Sequence, residues 1–563
     1  MKVLIVGGVA AGASAATRLR RLDEHAEIII FERSGYISYA NCGLPYYIGD
    51  VIQDPAQLSL QTAESLYSRF RIQVKTRHEV LAVHPERKAI SVLDLEKGIS
   101  FEECYDKLIL APGAKPSLPP LPGRDLDRVF TLRTVEDSLR LKEFIREKQI
   151  RSAALVGGGF IGVELAENLR QQGLDVTVIE LGKQLMTPFD PEIAAFIHAE
   201  LRKNGIQLAL EQAVEGFIKR EEGIDILLKD HPSMRTDMVV LAVGVNPDTA
   251  FLKDAGLEMG MKGSIVVNEH METSIPDIYA GGDAVQVRHF VSGNAALISL
   301  AGPANKQGRI IADNICGRES CYKGSQGSSV LKIFDLTAAS TGLNEGSAKI
   351  AGFDVEKIIL SPMDHAAYYP DGKLMLMKLL FEKESSRLLG AQILGYGGVD
   401  KRIDVLATAI HAGMKGTDLK DLDLAYAPPY SSAKDPVNMA GFLIDNISSG
   451  ILKQWQLEEL PALLENSSVT LLDTRKEEEF AEGHIPGFIN IPLDALRENL
   501  ESLDPAKPIY LICQSGLRSY IASRILEGRG YRAYNFSGGF RFYDAVVNGR
   551  CLAAAASPCG MNK

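Results

Sequence analysis

The chain has 563 residues, 46% of them apolar and 24% charged; this is the balance of an ordinary globular protein, and at ~150 residues per domain it holds roughly three to four domains. A formal net charge of −11 disfavours general affinity for nucleic acid or an anionic membrane, so local basic clusters serve local anions. The seven cysteines, at 42, 104, 316, 321, 513, 551 and 559, are too scattered for a disulfide framework, and without a CxxC or zinc-type His/Cys spacing no metal site is expected.

The first element, KVLIVGGVAAGASAATRLRRL, is an apolar strand, a glycine turn and an Ala-rich helix. It opens without a basic leader, and no run approaches the ~18 apolar residues of a membrane span, so a cytoplasmic protein is expected. Against GxGxxG the turn offers Gly7, Gly8, Val9, Ala10, Ala11 and Gly12, with Val9 in the middle glycine's place. The next strand, EIIIFE, ends at Glu32 beside Arg33, where a carboxylate can hold a ribose hydroxyl. A second turn is complete, with Gly157, Gly159, Phe160, Ile161 and Gly162, and its following strand ends at Glu180. Two such turns mean two dinucleotides, each resting its pyrophosphate on a helix N-terminus. Glu180 accepts a 2′-hydroxyl and repels a 2′-phosphate, which favours NADH over NADPH.

Further along come LAVGVNPDT at 241–249 and TSIPDIYAGGDAV, with Gly282 and Asp283. Beyond residue 322 the texture shifts to alternating strands such as KLMLMKLLFE, then a helical run over 399–414 and a linker near NISSG. In the last ~110 residues, strand PIYLIC carries Cys513 to a loop of Gln514, Ser515, Gly516, Leu517 and Arg518, with Ser519 starting a helix. Amides and a helix dipole aimed at one sulfur lower a thiol pKa and stabilise a persulfide anion.

The order of the two glycine turns, LAPGA at 110–114, LAVGVNPDT and AGGD resembles that of the two-dinucleotide-binding flavoprotein disulfide reductases over roughly 1–445. The resemblance implies FAD on the first turn, with Ala111, Pro112, Gly113, Gly244 and Gly282 around it and Asp283 on the ribityl chain. Three motifs in order, LLDTRKEEEFAEGHIPGFINIPL, PIYLICQSGLRS and YNFSGGF, resemble the rhodanese family, in which Asp473, Arg475 and His484 are framework residues. The expected fold is α/β. It comprises Rossmann-like FAD-binding (1–112 and 240–322) and NAD-binding (113–239) domains, an α+β dimerisation domain (323–446), a linker (447–460) and an α/β rhodanese domain (461–555).

In this superfamily a CxxxxC dithiol usually serves the flavin, but SYANCGLPYY offers only Cys42, which must cycle through a mixed disulfide, a persulfide or a sulfenic acid. Single-cysteine members include NADH peroxidases, NADH oxidases and coenzyme A-disulfide reductases. Peroxidases of the group carry a histidine in the glycine turn, which here reads GGVAAG. HAAYYP and LAYAPPYSSAKDPVN resemble stretches of the coenzyme A-disulfide reductases. By that resemblance Tyr368 and Tyr426 reach the active cysteine of the other subunit of a homodimer, and Lys434 contacts coenzyme A. Ser14, Arg18 and Arg21 fall on one helix face and match coenzyme A contacts, as do Ser38, Asn41 and Asn305. Cys104, Cys316 and Cys321 read as packing residues, and Cys551 and Cys559 as tail cysteines. The implied activity is NADH-dependent, FAD-mediated reduction of coenzyme A persulfide, polysulfide or coenzyme A disulfide through a Cys42–coenzyme A mixed disulfide. Cys42 would rest as a thiolate beside the flavin and a helix end, while Cys513 delivers sulfane sulfur. An O2-consuming oxidase or peroxidase and a non-turnover sulfur carrier or redox sensor stay open.

Overall fold

A computed structural model describes residues 1–552, which divide into two compact units. The first, 1–185 with 205–327, holds two parallel sheets. One runs in the order Ile278–Ala280, Lys107–Leu110, Lys2–Val6, Glu27–Glu32, Gln73–Thr76. Its central strands are apolar throughout because both faces are buried, in one core with Ala15, Leu19 and Ile311 of helices and Val80, Val83, Ile90 and Val92 of antiparallel strands, and helix Ala10–Leu22 packs along Ala301–Ile315. The other runs Gln207–Ala209, Asp175–Ile179, Ser152–Val156, Met238–Leu241, Val129–Thr131. The chain passes between the domains through Ala114–Pro116, paired antiparallel with Val245–Pro247. The return crossing therefore follows Leu241 instead of falling at 240, since Val240 and Leu241 lie in the second sheet.

The second unit contains helix Pro191–Lys203, which in sequence lies within the NAD-binding insertion. It also holds an antiparallel sheet ordered Ser329–Ile333, Leu336–Gly342, Leu388–Gly395, Met375–Glu382, Val355–Leu360. Its last part is a parallel sheet ordered Gln454–Trp455, Ala533–Phe536, Ile509–Ile512, Thr470–Asp473, Ile489–Asn490. This corrects the expected linker at 447–460. Helix Pro436–Ser448 runs to its start, and Gln454–Trp455 is already an edge strand of the C-terminal sheet, the fully buried Trp455 donating its indole N–H to the Leu511 carbonyl at 3.1 Å. A short polar stretch before a tryptophan reads as a spacer until that strand pairing is known. Among the described residues no helix is long and apolar enough to cross a membrane.

The antiparallel sheet buries one full charge. Lys378, 0% exposed, ion-pairs with Asp190 at 2.7 Å and with Glu192 and Glu345. Burial alone would lower its pKa, but the three carboxylates hold it above the ordinary lysine value. Burial tends to raise Glu345, yet Lys378 and Lys357 bring it down from 4.5 to about 2. A depressed carboxylate contributes stability above its unfolded value, here lost as pH falls from 4.5 toward about 2. Lys378→Met should cost about 3–5 kcal/mol by leaving carboxylates buried without their cation, read as a lower urea midpoint; an unchanged midpoint would contradict this account of the network.

Candidate functional site

The two glycine turns are built alike. Gly7 and Gly157 have φ of 92° and 109°, and a Cβ on them would lie 2.1 Å from the Ala111 carbonyl oxygen and 2.4 Å from that of Ala242. Only glycine lets the neighbouring strand come so close. In each turn the strand-end carboxylate is tied back to the glycines. Glu32 accepts from the Gly8 and Ser34 amides at 2.9 and 3.0 Å, and Glu180 from those of Gly158 and Gly182 at 2.8 and 2.9 Å. Helices Ala10–Leu22 and Phe160–Gln171 start without a side-chain cap, which leaves their first amides for an anion.

A cavity of about 400 Å³ opens at the first turn, lined by Gly7, Val9, Glu32, Arg33, Asn41, Ala111, Pro112 and Gly113. Missed from sequence are Arg133, Lys115 and Asp248, which line it too. Arg133 ion-pairs with Asp283 at 2.6 Å, and Asp248 bridges Arg33 at 2.6 Å and Lys115 at 3.3 Å. The Asn41 side-chain oxygen is buried without a hydrogen-bond partner, and Gly159 has open space where a Cβ would sit. An orphaned acceptor, uncapped helix starts and a polar cavity fit a dinucleotide cofactor at the first turn and a second at Gly157–Gly162. Around Asp283, the Gly282 amide donates to Gln307 at 2.7 Å. Gly244 is also open, with φ 95°.

Cys42 lies in the turn Asn41–Gly43 and is exposed. The protein packed behind it, and next the Glu164 carboxylate, raise its thiol above the ordinary cysteine value, and among charged groups Arg133 opposes them. Glu164 is itself pushed up to about 7 by burial and by Glu167. The expected thiolate at a helix end is thus not provided by the protein's own groups. The helix after Cys42, Leu44–Ile48, has five residues, too few for a strong dipole. Ser38 holds a left-handed φ of 49° and donates its amide to the Gly8 carbonyl at 2.9 Å, tying the cysteine segment to the first turn.

The face expected to hold coenzyme A is only partly free. Ser14 donates to the Asn305 side-chain oxygen at 2.5 Å, so these two residues meet across the helix pair. Arg18 is pinned by Asp313 at 2.7 Å, which offsets its charge, whereas Arg21 is exposed. In the second unit the exposed Tyr368 and Tyr426 share a hydroxyl–hydroxyl bond of 2.7 Å, and Lys434 is exposed nearby in sequence.

Cys513 ends strand Ile509–Ile512 and is fully buried. Its sulfur accepts from the Gly516 amide at 3.1 Å and the Ser519 hydroxyl at 3.2 Å. Gln514 and Ser515 form the loop wall, closed from behind by Gly539, where a Cβ would lie 2.7 Å from the Gln514 carbonyl oxygen. Leu517 is exposed at the start of helix Leu517–Glu527. The Arg518 guanidinium is turned to Glu479, at 2.6 and 2.8 Å. Asp473 grips Arg475 at 2.7 Å, Arg475 lies 3.8 Å over the Phe540 ring, and His484 stacks on Phe480. Cys551 is half-buried, and Cys559 lies outside the described residues.

Comparison with known proteins bears on all of these parts. Residues 1–308 match the pyridine nucleotide-disulphide oxidoreductase family, 328–436 its dimerisation domain and 456–545 the rhodanese-like domain. The coenzyme A disulfide reductase of Staphylococcus aureus is 36% identical over 442 residues, covering 78% of this chain and 99% of the relative. The crystal structure of reduced Bacillus anthracis CoADR-RHD is similar with a TM-score of 0.95 and 47% identity, over 98% of both chains. A NAD-dependent persulfide reductase from A. fulgidus gives a TM-score of 0.90 and 37% identity, over 96% of this chain and 100% of the other.

Proposed function

The chain belongs to the pyridine nucleotide-disulphide oxidoreductase family, and from that premise we propose that it uses NADH to reduce coenzyme A persulfide, polysulfide or coenzyme A disulfide, working as a homodimer. The observation that carries the reading is the exposed thiol of Cys42, with no second cysteine in its motif, beside a dinucleotide cavity. Glu32, Asp283 and the Gly7–Gly12 turn would hold FAD, which when bound supplies the two-electron relay between NADH and sulfur. Gly157, Gly159, Phe160, Ile161, Gly162 and Glu180 would hold the nicotinamide dinucleotide.

Cys42, once it has lost the proton that its surroundings favour, attacks the coenzyme A sulfur of a persulfide and expels hydrosulfide, leaving a Cys42–coenzyme A mixed disulfide. Two electrons and one proton then return the Cys42 thiolate and coenzyme A thiol. Ser14, Asn305, Arg21 and Lys434 bind the coenzyme A carrier. In a second copy of the chain, Tyr368 and Tyr426 stand by the departing sulfur with a proton. Their shared hydrogen bond raises the Tyr368 hydroxyl above the ordinary tyrosine value, so the proton is present at neutral pH. Cys513 takes sulfane sulfur from a carrier, its amide and hydroxyl donors steadying the persulfide anion.

One NADH-oxidation assay across acceptors tests the reading. Coenzyme A persulfide and coenzyme A disulfide should support turnover with release of coenzyme A thiol. Oxygen as an equal acceptor would replace the reading with an oxidase, and no turnover with any small acceptor would leave a sulfur carrier.

The Glu180 carboxylate sets the nucleotide preference. Glu180→Gln leaves an acceptor oxygen for only one of the Gly158 and Gly182 amides, which now bond to separate carboxylate oxygens, and removes the charge that repels a 2′-phosphate. The ratio of kcat/KM for NADH over NADPH should fall by about 1–3 kcal/mol. A wild-type enzyme that prefers NADPH would contradict this role.

A further inference from the structure

Tyr368 and Tyr426, expected to serve a second copy, and Lys434, expected to contact coenzyme A, sit on two separate surface segments, 364–370 and 424–435. Neither is a helix or strand over its tyrosine, and both tyrosines are exposed, 75% and 46%. Loops of this kind sample many conformations unless something ties them. Yet the two hydroxyls meet at 2.7 Å across a sequence separation of 58 residues.

One buried guanidinium holds both segments. Arg402, on helix Val399–His411, is 1% exposed. Its Nη2 lies 2.9 Å from the Asp364 carbonyl oxygen, 3.1 Å from that of Tyr430, 3.2 Å from the Ser431 hydroxyl and 3.0 Å from the Asp435 carboxylate. Its Nη1 donates to the Gly398 carbonyl at 3.2 Å. The first contact anchors the segment of Tyr368, the next two the segment of Tyr426, and Asp435 follows Lys434 and caps helix Pro436–Ser448. The two segments also meet directly, the Ala366 amide donating to the Ser431 carbonyl at 3.1 Å. Gly398, at φ 64°, has no Cβ because one there would lie 2.1 Å from Nη1. A lysine could reach only part of this set, since it presents one ammonium point in place of a planar fork.

We propose that Arg402 is the positioning residue of this half-site: its guanidinium fixes the Tyr368–Tyr426 hydroxyl pair and Lys434 as one unit for the sulfur substrate held by a second copy. This rests on the reading of those residues under Proposed function, and Arg402 touches no substrate itself.

The test compares the full-length, flavin-loaded protein with Arg402→Lys and with Tyr368→Phe/Tyr426→Phe. Arg402→Lys should raise KM for coenzyme A disulfide about tenfold and lower kcat, while KM for NADH stays at the wild-type value. A general structural defect would move both KM values together. Amide hydrogen exchange over 364–370 and 424–431 should speed up at least tenfold in Arg402→Lys, with exchange in strand Lys2–Val6 unchanged. Wild-type exchange in those segments, or a wild-type KM for coenzyme A disulfide beside faster exchange, would overturn the positioning role. If the tyrosine double variant turns over coenzyme A disulfide like wild type, the reading of the tyrosines fails, and the exchange result still decides whether Arg402 anchors the loops.

Discussion

Cys42→Ser is expected to stop NADH-driven turnover with every sulfur acceptor, a loss of at least ~10⁴-fold in kcat/KM. A serine hydroxyl has no accessible anion at neutral pH and cannot form a reducible bond to sulfur, so no other group in the motif can take its place. Cofactor retention should be unaffected, because Glu32, Asp283 and the glycine turn are built on strands and helices that do not depend on the thiol. The variant should therefore purify with flavin and accept electrons from NADH while failing to pass them on. Loss of the cofactor together with activity would instead make Cys42 a structural residue.

The second large effect separates the two thiols. Cys513→Ser should abolish sulfurtransferase activity and most turnover of bulky or polymeric sulfur donors, while reduction of coenzyme A disulfide stays within about twofold of wild type. The loop donors at Gly516 and Ser519 have nothing to stabilise without the sulfur nucleophile. Rates on both substrate classes answer the question in one preparation. Equal losses on both would place Cys513 in the core cycle, and unchanged rates on both would make the C-terminal domain a passive appendage.

The parts of this site that were legible in the sequence are those where the backbone itself is constrained. Gly7 and Gly157 could be identified because a strand passes where a Cβ would be, and Glu32 and Glu180 because a strand end has a fixed offset from the turn. The loop of Cys513 was legible for the same local reason. Arg133, Gln307 and Asp248 were not, since each reaches the site through contacts distant in sequence, Arg133 meeting Asp283 across 150 positions. The same distance hid the pinning of Arg18 by Asp313, 295 positions away. A helix face shows where a cation points, but not which carboxylate meets it there. In KLMLMKLLFE nothing local shows that Lys378 is buried with Asp190, Glu192 and Glu345 converging on it from other elements.

If Cys42 carries coenzyme A through the cycle as a mixed disulfide, peptide mass spectrometry reads that bond. Protein incubated with coenzyme A disulfide and digested without reductant should carry a coenzyme A moiety on the Cys42 peptide, released by dithiothreitol and cleared by NADH with a matching yield of coenzyme A thiol. An unmodified Cys42 peptide in protein that turns over coenzyme A disulfide at full rate would contradict the account.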